Sequence, residues 1–222
     1  MYLEIWFNMD EDLAIINNNT RNQKIKDFFN KNKKLLILIF GFLLIIIISF
    51  YSFQIYQDKK KESLSNKFNN AIINHKNGDN SKILSEMVEI VKNEDGTYSP
   101  LALYYLIDNS LIDNKDDVNE LFDILINKTS LESEIKNLII YKKGLLNANS
   151  SNENDLLEIL NPVINSNSVW KSHSLYLMAE YFYSKDEKQK SKEFFEQILN
   201  VENANLDIIK EAQKRLNRDL SE

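Results

Sequence analysis

The chain has no cysteine, only four glycines and two prolines, and only two histidines in 222 residues. Without cysteine there is no disulfide, no thiolate metal site, no thiol nucleophile and no lipid-modified cysteine anchor. So few glycines and prolines leave little of the turn chemistry that a β-rich fold needs. His75 and His173 stand 98 positions apart in the chain, a spacing typical of structural histidines rather than of a catalytic pair. HExxH, GxSxG, GxGxxG and Walker motifs are all missing. The acids Asp116 and Asp117, Glu153 and Asp155, and Asp186 and Glu187 sit where helix starts favour negative charge and lack convergent metal-ligand spacing. These absences point to a non-enzymatic chain with no cofactor and no bound metal. The net charge is −6, and the region beyond residue 56 is itself mildly acidic, with 21 Lys and Arg against 28 Asp and Glu. Nucleic acid is therefore not an expected partner, because phosphate recognition needs a basic stripe. No small-molecule substrate is expected either.

What the chain does have is one long apolar run. Leu35 to Phe53 reads LLILIFGFLLIIIISFYSF, with no charge and no proline. As a helix, about 19 residues span roughly 28 Å, close to the hydrocarbon thickness of a bilayer. A core helix would carry polar residues every third or fourth position, whereas only Ser49 and Ser52 interrupt this run, both near its end. A cleaved signal peptide fits less well. The run is longer than an h-region of roughly 7–15 residues, a long polar segment precedes it, and no small-x-small cleavage site follows. The expectation is a membrane anchor over 35–56. Arg21, Lys24, Lys26, Lys31, Lys33 and Lys34 lie on the N-terminal flank, against Lys59, Lys60, Lys61 and Lys67 on the other. This excess of two puts the N-terminus in the cytoplasm and the rest of the chain outside it. Tyr51, Phe53 and Tyr56 suit the far interface. In the tail, Ile5, Trp6, Phe7 and Met9 give a short amphipathic helix, but Glu4, Asp10, Glu11 and Asp12 deny it the basic face of a membrane binder, so a protein contact competes.

Beyond the anchor the periodicity is helical throughout. Leu64, Phe68, Ile72 and Ile73 mark a helix over 57–76, closed by Asn77-Gly78-Asp79. Further helices are expected over 81–92, from Ser99 to about Ile112, over 116–126 and 131–146, over 155–164 where Pro162 distorts or ends it, and over 169–184, 187–199 and 205–216. Ser99 and Pro100 are read as N-cap and first helical residue. No alternating strand is evident. The fold class is all-α, a single N-terminal transmembrane helix followed by a tetratricopeptide-like solenoid of α-α hairpins. The divisions are a tail over 1–34, the anchor over 35–56, a helical stalk and first hairpin over 57–96, and degenerate repeats over 97–222.

The repeat reading rests on a period. Apolar helices begin near Ser99, Glu134 and Val169, about 35 residues apart, each followed by a second amphipathic helix. The last pair fits best, with Leu175, Met178, Ala179 and Phe182 on the first helix and Ser191, Phe195 and Ile198 on the second. A small Ala179 facing a small Ser191 lets the helices approach, and Phe195 fills the groove beside them. Gly144 takes the small-residue position in the preceding repeat. A plain helical bundle with hairpins of similar length is the competing reading. Tyr104, Tyr105, Tyr141, Tyr176 and Tyr181 are candidates for a concave peptide-contact surface, or else for the core, which is the safer assignment for each taken singly.

The stretches FNMDEDL (7–13), IKDFFNKNKK (25–34) leading into the anchor, TYSPLALYYLIDNSLIDNKDDVNELFDIL (97–125) and SLYLMAEYFYSKDEKQKSKEFFEQIL (174–199) carry a resemblance. Their order of tail, basic stretch, single anchor, stalk and degenerate repeats resembles that of YfgM-like proteins, membrane-anchored ancillary subunits of the bacterial SecYEG translocon. The short tail is similar to that of the alphaproteobacterial branch. The resemblance is one of architecture, and alanines at packing positions are replaced by Ser or bulkier residues. It implies a single-pass inner-membrane protein with a periplasmic domain. It also implies the SecYEG channel, a membrane-anchored periplasmic folding factor and nascent envelope proteins as partners. A scaffold for another envelope machine, such as cytochrome maturation or cell division, and, more remotely, an anchored hydrolase are the alternatives.

Overall fold

The computed structural model describes residues 2–78 and 82–220, with side chains from residue 20 onward. Among the described residues there are nine α-helices and no strand. They are α1 (Tyr2–Lys76), α2 (Ile83–Lys92), α3 (Tyr98–Asp108), α4 (Lys115–Asn127), α5 (Ser133–Asn147), α6 (Glu153–Ile164), α7 (Lys171–Ser184), α8 (Lys188–Leu199) and α9 (Leu206–Asp219). The chain divides into two compact units, with the boundary inside α1 between Lys60 and Lys61.

The first unit holds the apolar run. α1 is long and apolar enough across it to cross a membrane, and none of the apolar window is buried. The amphipathic pattern of Ile5 to Met9 lies outside the described side chains.

The second unit is built from helices whose ends are satisfied locally. Asn114, Asn152 and Asn205 are the N-caps of α4, α6 and α9, their side chains accepting from the amides of Asp116, Asp155 and Asp207. A side-chain oxygen there replaces the missing intrahelical partner of a first-turn amide. The acids expected at helix starts occupy the first turn behind Asn114 and Asn152, where the helix dipole favours them. Gly78, at φ 89°, lies just past the end of α1, while Asp79 and the start expected at Ser81 lie outside the described residues. Three other helix ends place non-glycine residues in the left-handed region: Glu94 (φ 58°), Ser110 (φ 50°) and Asp186 (φ 60°). After α3, the Leu111 amide donates to the Leu106 carbonyl at 2.9 Å and the Ser110 amide to Ile107 at 3.1 Å. After α7, Glu187 donates to Phe182 and Asp186 to Tyr183 at 3.0 and 3.1 Å. Both are Schellman closures, which recover two end carbonyls.

Two local expectations are corrected. Ser99 is not an N-cap: α3 begins at Tyr98, and the Asp95 carboxylate accepts from the amides of Thr97 and Tyr98 at 2.9 and 2.7 Å. Ser99 is instead buried, its hydroxyl donating to the Ile90 carbonyl at 2.8 Å and accepting from the Asp95 amide. It ties the start of α3 to the end of α2. α3 stops at Asp108 rather than near Ile112, because the Schellman closure turns the chain at Ser110. Of the two readings left open for Pro162, termination is excluded, and α6 runs to Ile164 as its expected bound has it.

Two apolar clusters fill the second unit. The first joins Leu64, Phe68 and Ala71 of α1 to α2, α3, α4 and Ile139 of α5. The second joins α6, α7, α8 and α9 around Leu160, Met178, Phe182, Phe195 and Ala212. α3 packs chiefly against the preceding α2 rather than the following α4, unlike the pairing drawn from the period. From α5 onward each helix packs on the next, and α5 also touches α7 and α7 touches α9.

Gly144 of α5 lies where a side chain has no room. A Cβ there would stand 2.4 Å from Cδ2 of the fully buried Leu160 on α6. The glycine thus sets the separation of the two helices.

Two outcomes follow for the chain in a mild detergent. Gly144→Val should lower unfolding stability by about 2 kcal/mol through overpacking, with Gly144→Val/Leu160→Ala costing less than the sum of the single changes. Ser110→Gly should raise stability by about 1 kcal/mol, the cost of a left-handed non-glycine residue. Urea titration followed by circular dichroism measures both.

Candidate functional site

The helix pair α7–α8 makes the most extensive contact in the unit. Leu175, Met178, Ala179, Phe182, Ser191, Phe195 and Ile198 are all buried. The Ser191 hydroxyl donates to the Ala179 carbonyl at 2.9 Å, so the small residues face each other across a close approach. Phe195 meets Tyr176 edge-on at 5.4 Å, and Phe182 stacks on Phe194 at 5.4 Å. These side chains serve packing and leave little surface for a ligand.

The candidate contact tyrosines separate into two groups. Tyr181 is buried, its hydroxyl donating to the Ser151 carbonyl at 3.2 Å. Tyr105 packs on Phe68 and pairs its hydroxyl with Nδ1 of His75 at 2.6 Å. His75 thus joins α1 to α3. Tyr105 is half-buried, as are Tyr104, Tyr141 and Tyr176, which keep some of their surface in solvent.

Tyr104 borders a cavity of about 190 Å³ with Ile107 and Asp108 of α3, Phe122 of α4, and Lys142, Leu145 and Leu146 of α5. Lys142 places its ammonium 4.7 Å from the Tyr104 ring centre. Such contacts are worth about 0.5–1 kcal/mol at exposed sites. The Tyr104 hydroxyl is buried and has no hydrogen-bond partner among the described residues. Burial, reinforced by the negative charge of Asp108, pushes its pKa up to about 12. It remains a neutral phenol at physiological pH, a donor and acceptor beside one acid and one base. Leu145 and Leu101 on the same helices stay exposed, so the surroundings are apolar with a few polar groups. That composition suits a side chain or short peptide segment more than an ion.

One junction further along, Tyr141 of α5 stacks on Trp170 with centroids 5.7 Å apart and planes 20° from parallel. His173 closes the group at 5.7 Å from Tyr141 and 5.0 Å from Trp170. Burial alone raises the Tyr141 pKa. Trp170, His173 and Lys142 are not legible from sequence as partners of the tyrosines, since Trp170 is 29 positions from Tyr141 and Lys142 is 38 from Tyr104. The Tyr176 pKa is pushed up to about 12, by burial first and then by the charge of Glu180.

A second, more polar cavity of about 440 Å³ lies among α4, α5 and α6, bordered by Asp123, Lys143, Asp155, Glu158 and Pro162. Lys143 pairs there with Asp123 at 2.6 Å. No group of three or more His, Asp or Glu side chains comes together as a metal-ligand set among the described residues.

Charge ties the last helix down. Arg215 of α9 reaches Glu180 of α7 at 2.9 Å and Asp219 at 2.6 Å, with its guanidinium 4.1 Å from the Tyr183 ring centre. Hydrogen bonds from Arg218, helped by the charges of Arg218 and Arg215, hold the Asp219 carboxyl at about 2. The folded value lies below the ordinary one near 4. This contribution is therefore complete above that ordinary value and is lost as pH falls toward 2. Urea midpoints measured between pH 5 and pH 2 should fall less steeply for Asp219→Asn than for the parent chain.

No family model, curated protein or solved structure matches this chain.

Proposed function

We propose that the chain is a membrane-anchored, non-enzymatic protein-interaction module. Leu35–Phe53 spans the bacterial inner membrane, and the helical unit that follows works at its periplasmic face beside the Sec translocon. The observation that carries this reading is the uninterrupted apolar stretch within a single helix, none of it buried among the described residues. A patch of that size left in water would drive aggregation, whereas in a bilayer it is the arrangement of lowest free energy.

The helical unit supports the interaction role. Helices α5 to α9 each pack on their successor, and α5 touches α7 as α7 touches α9, the neighbour pattern of a tetratricopeptide-like solenoid. Tyr104, Tyr141 and Trp170 line junctions between helices two apart in sequence order, where such repeats hold extended segments of other proteins. The anchor supplies what weak peptide contacts lack. Confinement beside a channel raises the effective concentration of emerging chains, so a low-affinity groove suffices. The resemblance of the sequence to YfgM-like proteins supports the translocon, a membrane-anchored folding factor and nascent envelope proteins as partners.

Crosslinking of the full-length protein in native membranes, followed by partner identification, tests this. Capture of translocon subunits is the expected result. Consistent recovery of a different envelope assembly would replace the translocon with that machine, and a reporter fused at the C-terminus that signals cytoplasm would overturn the topology.

A further inference from the structure

The stretch of α1 ahead of the apolar run carries an arrangement that spanning alone does not require. With about 100° of rotation per residue, Ile25, Phe28, Phe29 and Asn32 fall within an arc of about 100°. Lys24 and Lys31 border one edge of this arc, and Lys26 and Lys33 the other. Arg21 falls on the arc one turn earlier, and Gln23, Asp27, Asn30 and Lys34 occupy the opposite face. Ile25, Phe28 and Phe29 are 46%, 56% and 57% exposed. The two rings meet edge to face at 6.1 Å, and Asn32 folds its amide back onto the Phe28 carbonyl at 2.9 Å. None of the four lysines pairs with a carboxylate among the described residues.

We propose that this face of α1, from Arg21 to Lys34, docks onto anionic lipid headgroups. The inference rests on the membrane-spanning reading of Leu35–Phe53. An apolar stripe bordered on both sides by lysines is the surface that enters a headgroup layer, with the rings down and the ammonium groups reaching sideways to phosphates. Phe28 and Phe29 lie six to seven residues before Leu35, about 10 Å of helix, next to the interfacial layer of a bilayer. A helix tilt of about 20°, ordinary for a spanning helix, brings one side of this turn nearer the lipid. Five basic residues on or beside this face, Arg21, Lys24, Lys26, Lys31 and Lys33, complement an anionic leaflet, where each basic side chain near the surface adds to the attraction. A second copy of the chain fits the stripe poorly, because it would oppose two such basic sets across the contact. The position on the apolar stripe distinguishes this surface from lysines that merely set orientation: a topogenic charge needs no aromatic face.

The full-length protein is reconstituted in phosphatidylcholine vesicles containing about a third phosphatidylglycerol, and the preference of its lipid shell for spin-labelled phosphatidylglycerol over phosphatidylcholine is read. A preference of about threefold is expected, weakening with salt. It should fall to near unity in Lys24→Gln/Lys26→Gln/Lys31→Gln/Lys33→Gln and persist in Lys59→Gln/Lys60→Gln/Lys61→Gln. Because the chain has no cysteine, a single environment-sensitive label can be placed at Asn32→Cys on the stripe or at Asn30→Cys opposite it. The label at 32 should be the more shielded, and only in anionic vesicles. Absence of any lipid preference, its loss only in the 59–61 variant, or shielding at 32 that tracks protein density rather than lipid charge would each overturn the proposal. Alkaline carbonate extraction of the same vesicles separates the two readings. Protein stripped from the membrane defeats the span itself, whereas retained protein without lipid preference defeats only the docking face.

Discussion

The helical unit depends on how closely two pairs of helices approach. At α5–α6 the absence of a side chain on Gly144 lets Leu160 sit where a Cβ would be. At α7–α8 the Ser191 hydroxyl reaches the backbone of α7 at Ala179. Ridge-into-groove packing ordinarily keeps helix axes about 8–10 Å apart, and small residues allow the near end of that range. Everything apolar in the second cluster is arranged around these contacts. Phe195, Met178 and Leu175 fill space whose width the small residues set.

Much of this is legible in the sequence because helical periodicity is a local signal. Leu175, Met178, Ala179 and Phe182 repeat at three and four residues, and that spacing alone predicts the buried stripe they form. Gly144 is legible for the same reason, as a small residue at a position equivalent in period to Ala179. The helix ends are less so. Ser99 preceding Pro100 has the composition of a cap, but Asp95 binds the amides of Thr97 and Tyr98 with a charged carboxylate, which is the stronger acceptor, and the helix starts two residues earlier than the cap reading places it. The left-handed turns at Glu94, Ser110 and Asp186 carry no glycine, so composition offers no sign of them. Asn114, Asn152 and Asn205 cap three helices, a role that apolar periodicity does not show.

The candidate site illustrates the limit of local signals. Exposed tyrosine and core tyrosine look alike in sequence, since both sit on helix faces with apolar neighbours. Tyr181 is buried because Ser151, thirty residues back, offers a carbonyl to its hydroxyl; Tyr141 keeps some surface because its partner is the flat face of Trp170. Such pairings arise from the packing of non-consecutive helices and have no counterpart in periodicity. The same holds for the ionic links Lys190–Glu153 and Arg215–Glu180, which bridge 37 and 35 positions.

The two apolar clusters have a consequence for how the unit comes apart. The first gathers the end of α1 with α2 to α4 and a single buried residue of α5; the second begins at α6. In an array of this kind, each segment unfolds with its own free energy, and cooperativity is carried by the contacts between neighbouring segments. The α5–α6 joint, with the α5–α7 contact of Tyr141 on Trp170, is therefore what makes two halves melt as one. A partner that gripped only the α3–α5 junction would protect the first half directly. It would reach the α8–α9 end through Gly144 against Leu160 and through Tyr141 against Trp170.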